Sequence, residues 1–122
     1  MLYVTAPGMQ QVLQLTPPPG GPLTRPWAGT VIYNVRLGGP TALTVAPDGV
    51  LYGTAYGQTP GMPFGSGFSG AFQLTPPVTP GGAWTYLPLT PPFRKWHLDT
   101  NLVLVNGNLY GGLTNGASGS IF

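Results

Sequence analysis

The sequence predicts an all-β fold of short antiparallel strands, and three observations carry that expectation. Glycine fills 20 and proline 16 of the 122 positions, so few windows of ten residues remain in which a helix could run without a breaker. The apolar runs between the breakers are short, β-branched or aromatic, and bounded by turn residues, as strands are. The chain is also self-similar. Val50-Leu51-Tyr52-Gly53-Thr54 recurs as Asn108-Leu109-Tyr110-Gly111-Gly112, with a weaker copy at Leu2-Tyr3-Val4-Thr5. Behind it, Leu13-Gln14-Leu15-Thr16-Pro17-Pro18 returns as Phe72-Gln73-Leu74-Thr75-Pro76-Pro77. Two motifs in fixed order mark a supersecondary unit that buries its apolar face by stacking on a neighbour. Disorder is excluded, because 31 Leu, Ile, Val and Phe residues and a net charge of only +2 supply enough burial to offset ordering entropy.

The Leu-Tyr pairs at positions 2, 51 and 109 lie 49 and 58 residues apart, a spacing within the range of four-stranded propeller blades. The expected architecture is a set of blade-like sheets of a β-propeller or an open β-stack. It has about ten short strands and no substantial helix, in one repeat domain over residues 1–122. A partial unit covers 2–40, a complete unit 41–92 and a second partial unit 101–122. In the first unit, strands are expected at 11–16 and 30–37, joined by the proline-rich segment 17–26. The complete unit opens with a strand at 41–46, which Asp48-Gly49 turns back into 50–56. Asp-Gly between alternating apolar runs is a strong hairpin signal, because both central positions of a type I′ turn take positive φ. Residues 57–70 hold most of the extra length of this copy and read as a surface loop. A strand at 70–75 stops at Pro76-Pro77, whose missing N–H groups end sheet pairing, and a fourth at 83–89 follows Pro80-Gly81-Gly82. In the last unit, Asn106-Gly107 joins 102–105 to 109–113 by the same kind of turn. The terminal units then hold about three strands each and expose edges.

The pattern Asp/Asn-Gly-x-Leu-Tyr-Gly-Thr, a glycine-rich turn, then Gly-x-Phe-Gln-Leu-Thr-Pro resembles the repeats of bacterial GloVer-type, or choice-of-anchor, tandem-repeat proteins. The resemblance spans nearly the whole chain. It implies β-propeller-like repeats in a surface or secreted protein and brings no catalytic residues with it. Three positions depart from the pattern: Val4 stands where Gly is usual, Leu13 where Phe is usual, and Gly112 where Thr is usual.

Charged residues are 5% of the chain and Glu is absent, so solubility rests on Thr, Asn, Gln, Gly and Ser with little repulsion to oppose association. Arg25, Arg36, Arg94 and Lys95 form no basic patch, which argues against a nucleic-acid partner. The lack of cysteine excludes disulfides and thiol chemistry. No apolar run reaches membrane-spanning length and no leader is visible. The expected location is extracellular or at the bacterial cell surface, with any leader upstream.

Candidate chemistry is sparse. Asp48 and Asp99 are the only carboxylates, and Asp48 reads as a turn residue because Asn106 takes its place in the next copy. His97 and Asp99 alternate across Leu98 and would point to one side of an extended segment, but two ligands are too few for a metal site without a third such as Asn101. Gly65-Ser66-Gly67-Phe68-Ser69-Gly70 matches the dinucleotide fingerprint by letter, yet a strand and Pro-Pro follow it rather than a helix. The four serines have no histidine nearby. Catalysis, cofactor and metal are therefore not expected. Most aromatics, Tyr52 with Tyr110 and Trp27 with Trp84, share repeat positions and read as packing. Trp96 and Phe64 lie outside those positions, so Trp96, His97, Asp99 and Phe64 are the candidate ligand contacts. The leading expectation is a non-enzymatic structural module that self-associates into homo-oligomers through its incomplete terminal β units. The alternative is a carbohydrate-binding, lectin-like propeller module. An enzyme ranks third.

Overall fold

A computed structural model describes residues 2–21, 23, 25–35, 39–58, 67–90, 93–94, 101–114 and 119–121. Among them all regular structure is β apart from one 3-10 turn at Pro7–Met9. The strands are β1 (Leu2–Ala6), β2 (Gln11–Thr16), β3 (Ala28–Asn34), β4 (Gly39–Val45), β5 (Leu51–Gln58), β6 (Gly67–Thr75), β7 (Thr85–Pro88), β8 (Phe93–Arg94), β9 (Val103–Val105), β10 (Asn108–Tyr110), β11 (Gly112–Thr114) and β12 (Gly119–Ile121). Twelve short segments stand where about ten strands are expected. The expected strand at 109–113 divides at Gly111, and Phe93–Arg94, outside every strand expected from sequence, pairs with Phe68 and Ser69.

Every pairing is antiparallel. A first sheet has the order β1-β2-β3, and a central sheet has the order β4-β5-β6-β7 with β8 also on β6. Two ribbons, β9 with β10 and β11 with β12, follow. None of these sheets closes into a barrel among the described residues.

The two sequence motifs are cross-strand partners. In the first sheet Leu2, Tyr3, Val4 and Thr5 face Leu15, Gln14, Leu13 and Val12. In the central sheet Leu51, Tyr52, Gly53 and Thr54 face Leu74, Gln73, Phe72 and Ala71 in the same register. In the ribbons, Gly112 facing Ile121 occupies the position of Thr54 facing Ala71. Two departures from the repeat pattern therefore sit opposite each other: Val4 faces Leu13 where Gly53 faces Phe72. A Cβ on Gly53 would lie 2.4 Å from Cζ of Phe72 and 2.9 Å from the carbonyl oxygen of Ala42. Phe at one position requires Gly at the other, and Leu in place of Phe removes that requirement.

The two expected Asx-Gly turns differ. Asn106 (φ 48°) and Gly107 (φ 79°) both take positive φ, as a type I′ turn demands. At the other hairpin only Gly49 does, with φ 87°. Pro47 locks its own φ near the value for the second position of a type I turn, which Gly49 closes by donating its N–H to the Ala46 carbonyl at 3.0 Å. Asp48 accepts the Val50 N–H at 3.1 Å, and the turn is one residue longer than type I′. The surface loop expected at 57–70 is also shorter than that range. Tyr56, Gly57 and Gln58 pair with Ser69, Phe68 and Gly67, and only 59–66 fall outside the described residues. The glycine fingerprint at 65–70 thus runs into β6 and opens no helix.

Proline is placed where a missing donor does least harm. Pro40 lies beside a β-bulge in edge strand β4, and the bulge lets the Thr41 hydroxyl meet that of buried Thr54 at 2.9 Å. On the opposite edge, β7 stops at Pro88 and β8 begins at Phe93, yet their partners on β6, Phe72 and Ser69, are only three residues apart. Two extra residues loop out, and the Thr90 hydroxyl accepts the N–H of buried Ala71 at 3.0 Å in place of a ladder carbonyl.

The core lies between the first and central sheets. It is built on Val12, Val35, Leu51, Ala55, Phe72 and Leu74, with Tyr3, Ile32, Tyr33, Trp84 and Tyr86 packed around them. Phe72 and Tyr86 stack at 5.7 Å between centroids, and Tyr86 stacks on Tyr33 at 5.0 Å with planes 2° apart. An aromatic column thus runs from Gly53 across the central sheet to the first. Gly53→Ala is expected to destabilise the protein by about 2–3 kcal/mol in urea melts. Phe72→Leu should then cost less in the Gly53→Ala background than alone, a coupling of about 1 kcal/mol. Additive losses would sink the ring-on-glycine explanation.

Candidate functional site

Trp96, His97, Asp99 and Phe64, the contacts expected from sequence, all lie outside the described residues. Among the described residues no three His, Cys, Asp or Glu side chains gather as a metal site would require, and no helix is long and apolar enough to cross a membrane. The structure does assemble a groove that the sequence reading missed.

This groove forms where the inner face of the first sheet meets the approach to β7. On β1 and β2, strand alternation turns Tyr3, Val12 and Gln14 toward the central sheet, and Thr30 pairs with Gln14 from β3. The opposite wall comes from a turn at Thr79, Pro80, Gly81 and Gly82. Pro80 pre-sets the second position, Gly81 supplies φ 80° at the third, and the Gly82 N–H closes it on the Thr79 carbonyl at 3.1 Å, which is type II geometry. The turn stands over Pro77, whose Cβ lies 2.9 Å from where a Cβ on Gly82 would be. It delivers Trp84 edge-on to Tyr3, with ring centroids 5.9 Å apart and planes at 75°. The resulting groove has a volume of about 630 Å³, with Tyr3, Gln14, Thr30, Gly81, Gly82 and Trp84 on its walls.

Among the described residues no lining side chain carries a charge. The groove offers aromatic surface, an amide, hydroxyls and backbone polar groups, which suit an uncharged polar ligand. Trp84, read from its repeat position as packing, both borders the core and lines the groove. Only the register, which sets Tyr3 on the face that meets Trp84, reveals the pair.

A Pro-Gly-Gly turn also stands in the first sheet. Gly20 has φ 91° and the Gly21 N–H reaches the Pro18 carbonyl at 3.3 Å. The register then places Trp27 at the position of Trp84, because Thr16 faces Ala28 as Thr75 faces Thr85.

Within the core beside this groove, the Tyr86 hydroxyl is buried and finds no hydrogen-bond partner among the described residues. Burial first, and neighbouring Tyr33 second, raise its pKa above the ordinary 10.0. The neutral phenol is the form the fold favours, so its contribution is complete below pH 10 and is lost as pH rises through the elevated folded value. Tyr86→Phe should leave stability at neutral pH unchanged or raise it by about 1 kcal/mol, since an unpaired buried hydroxyl is removed. It should also weaken the fall in melting temperature above pH 10. A large loss at neutral pH would instead reveal a bonding partner for the hydroxyl.

Comparison with known family models, with curated proteins and with solved structures found no match to this chain.

Proposed function

We propose that the protein is a non-enzymatic structural module that self-associates through its terminal β units. The observation that carries this reading is the outer face of the C-terminal ribbons. Val103, Val105, Tyr110 and Ile121 alternate onto one side and are 54, 47, 47 and 83% exposed. Val103, Tyr110 and Ile121 line a shallow hollow of about 270 Å³ beside Gly112. An apolar face of this kind on a chain with 5% charged residues favours association with protein over isolation in water. Equivalent registers in the first and central sheets support the view of these elements as blade-like units of a propeller or open stack. The resemblance to choice-of-anchor tandem-repeat proteins supports a place at a bacterial surface or outside the cell. Light scattering over a range of concentrations should show mass rising above 12.7 kDa. A strict monomer at millimolar concentration would overturn the reading.

A second reading, a lectin-like module, is favoured by the uncharged Tyr3–Trp84 groove. Pyranose faces stack on aromatic rings while amide and hydroxyl groups bond the sugar hydroxyls. Glycan-array binding that survives Trp96→Ala but is lost in Trp84→Ala would support this groove as the site. Absence of binding to any glycan would remove the second reading and leave the first intact.

A further inference from the structure

We infer that copies of this chain associate head to tail, the outer face of one copy's C-terminal ribbons packing on the outer face of the next copy's first sheet. The inference rests on the reading of the protein as an assembly module, and it names the two surfaces and their order.

The template for the contact lies inside the molecule. The face of the first sheet that carries Tyr3 and Val12 packs on the face of the central sheet that carries Leu51, Phe72, Leu74 and Trp84. Both of these faces have counterparts elsewhere in the chain, and no described sheet covers either counterpart. On the ribbons, Tyr110 stands at the position of Tyr3, and Ile121 at the position of Val12. Val12 is fully buried while Ile121 is 83% exposed. On the outer side of the first sheet, Leu2, Leu13 and Leu15 stand at the positions of Leu51, Phe72 and Leu74. Those three are fully buried in the central sheet, whereas Leu2 is 52% exposed and Leu13 and Leu15 are only half-buried. By register, Trp27 and a Pro-Gly-Gly turn stand in the first sheet at the positions of Trp84 and Pro80-Gly81-Gly82 in the central sheet.

The chain therefore displays both halves of an interface that it already makes once. In the docked pair, Tyr110 of one copy meets Trp27 of the next as Tyr3 meets Trp84 within a chain. The occupant of each face is a second copy, because the complementary surface belongs to the same molecule. Two different surfaces make the contact heterologous, so it propagates until a ring closes or continues as a filament. Few charges stand against it, with a net charge of +2 over 122 residues.

Heterologous packing has a signature that no symmetric contact reproduces. Ile121→Lys blocks the ribbon face, and Leu13→Lys blocks the face of the first sheet. Each variant alone should be monomeric by light scattering, and an equimolar mixture should give a one-to-one heterodimer and nothing larger. Leu2→Lys, at a more exposed position of the same sheet face, replaces Leu13→Lys if circular dichroism shows that the latter does not fold. A dimer formed by Leu13→Lys or Leu2→Lys alone would overturn the head-to-tail arrangement in favour of a symmetric ribbon-to-ribbon contact. Wild-type-like assembly of every single variant would overturn it in favour of edge pairing, and a mixture that stays monomeric would also overturn it. In those outcomes the assembly reading stands. If the unmodified chain never associates, the assembly reading itself fails.

Discussion

The contact between the Phe72 ring and the bare backbone of Gly53 holds the rest of the fold in place. With no Cβ at position 53, the ring lies down across its cross-strand neighbour instead of standing off the sheet. That posture brings Phe72 within stacking distance of Tyr86, and Tyr86 in turn reaches Tyr33 on the first sheet. Each aromatic pair adds about 0.5–1.5 kcal/mol beyond the area it buries. Burial of Leu51, Phe72 and Leu74 adds about 1.5–3 kcal/mol for each side chain. One missing methyl group thus decides how two sheets meet. The first sheet shows the other solution, Val4 opposite Leu13, on a face that no described sheet covers.

The central sheet is covered on both sides, and its neighbours are not. Leu51, Phe72 and Leu74 face the first sheet, while Thr54, Ser69 and Ala71 on the other side are equally buried. Thr44 extends a hydroxyl from that second side to the carbonyl of Leu102, linking the sheet to the segment that leads into β9. A sheet buried on both faces needs two neighbours, which is the physical meaning of a repeat. The outer surfaces of the first sheet and of the ribbons are apolar and no described sheet covers them, which supports the proposal of an assembly module.

The all-β class was legible because breakers and strand-like runs dominate every segment, and β2 falls at 11–16 as expected. The turn at Asn106-Gly107 was legible from its dipeptide alone. At Asp48-Gly49 the dipeptide misled, because Pro47 fixes the preceding φ and draws the chain into a longer turn. Val4 and Leu13 read as two unrelated departures, since nothing in the linear order says that they touch. The Tyr3–Trp84 groove was hidden for a similar reason: its walls lie 81 positions apart and meet only through the packing of two sheets. Trp96, His97 and Asp99 stand out in the sequence because charge is rare in this chain, and they lie outside the described residues.

The interrupted outer strand also bears on what the molecule avoids. Its rim carries Pro88, with Pro91 and Pro92 following in the sequence, and Thr90 turns its hydroxyl inward to serve Ala71. Such a border presents a broken row of donors to any passing chain, which makes it a poor template for the hydrogen-bonded ladder of a cross-β fibril. For a glycine-rich chain with hardly any charge, that border disfavours strand-by-strand aggregation along this one edge and leaves the sheet faces unaffected.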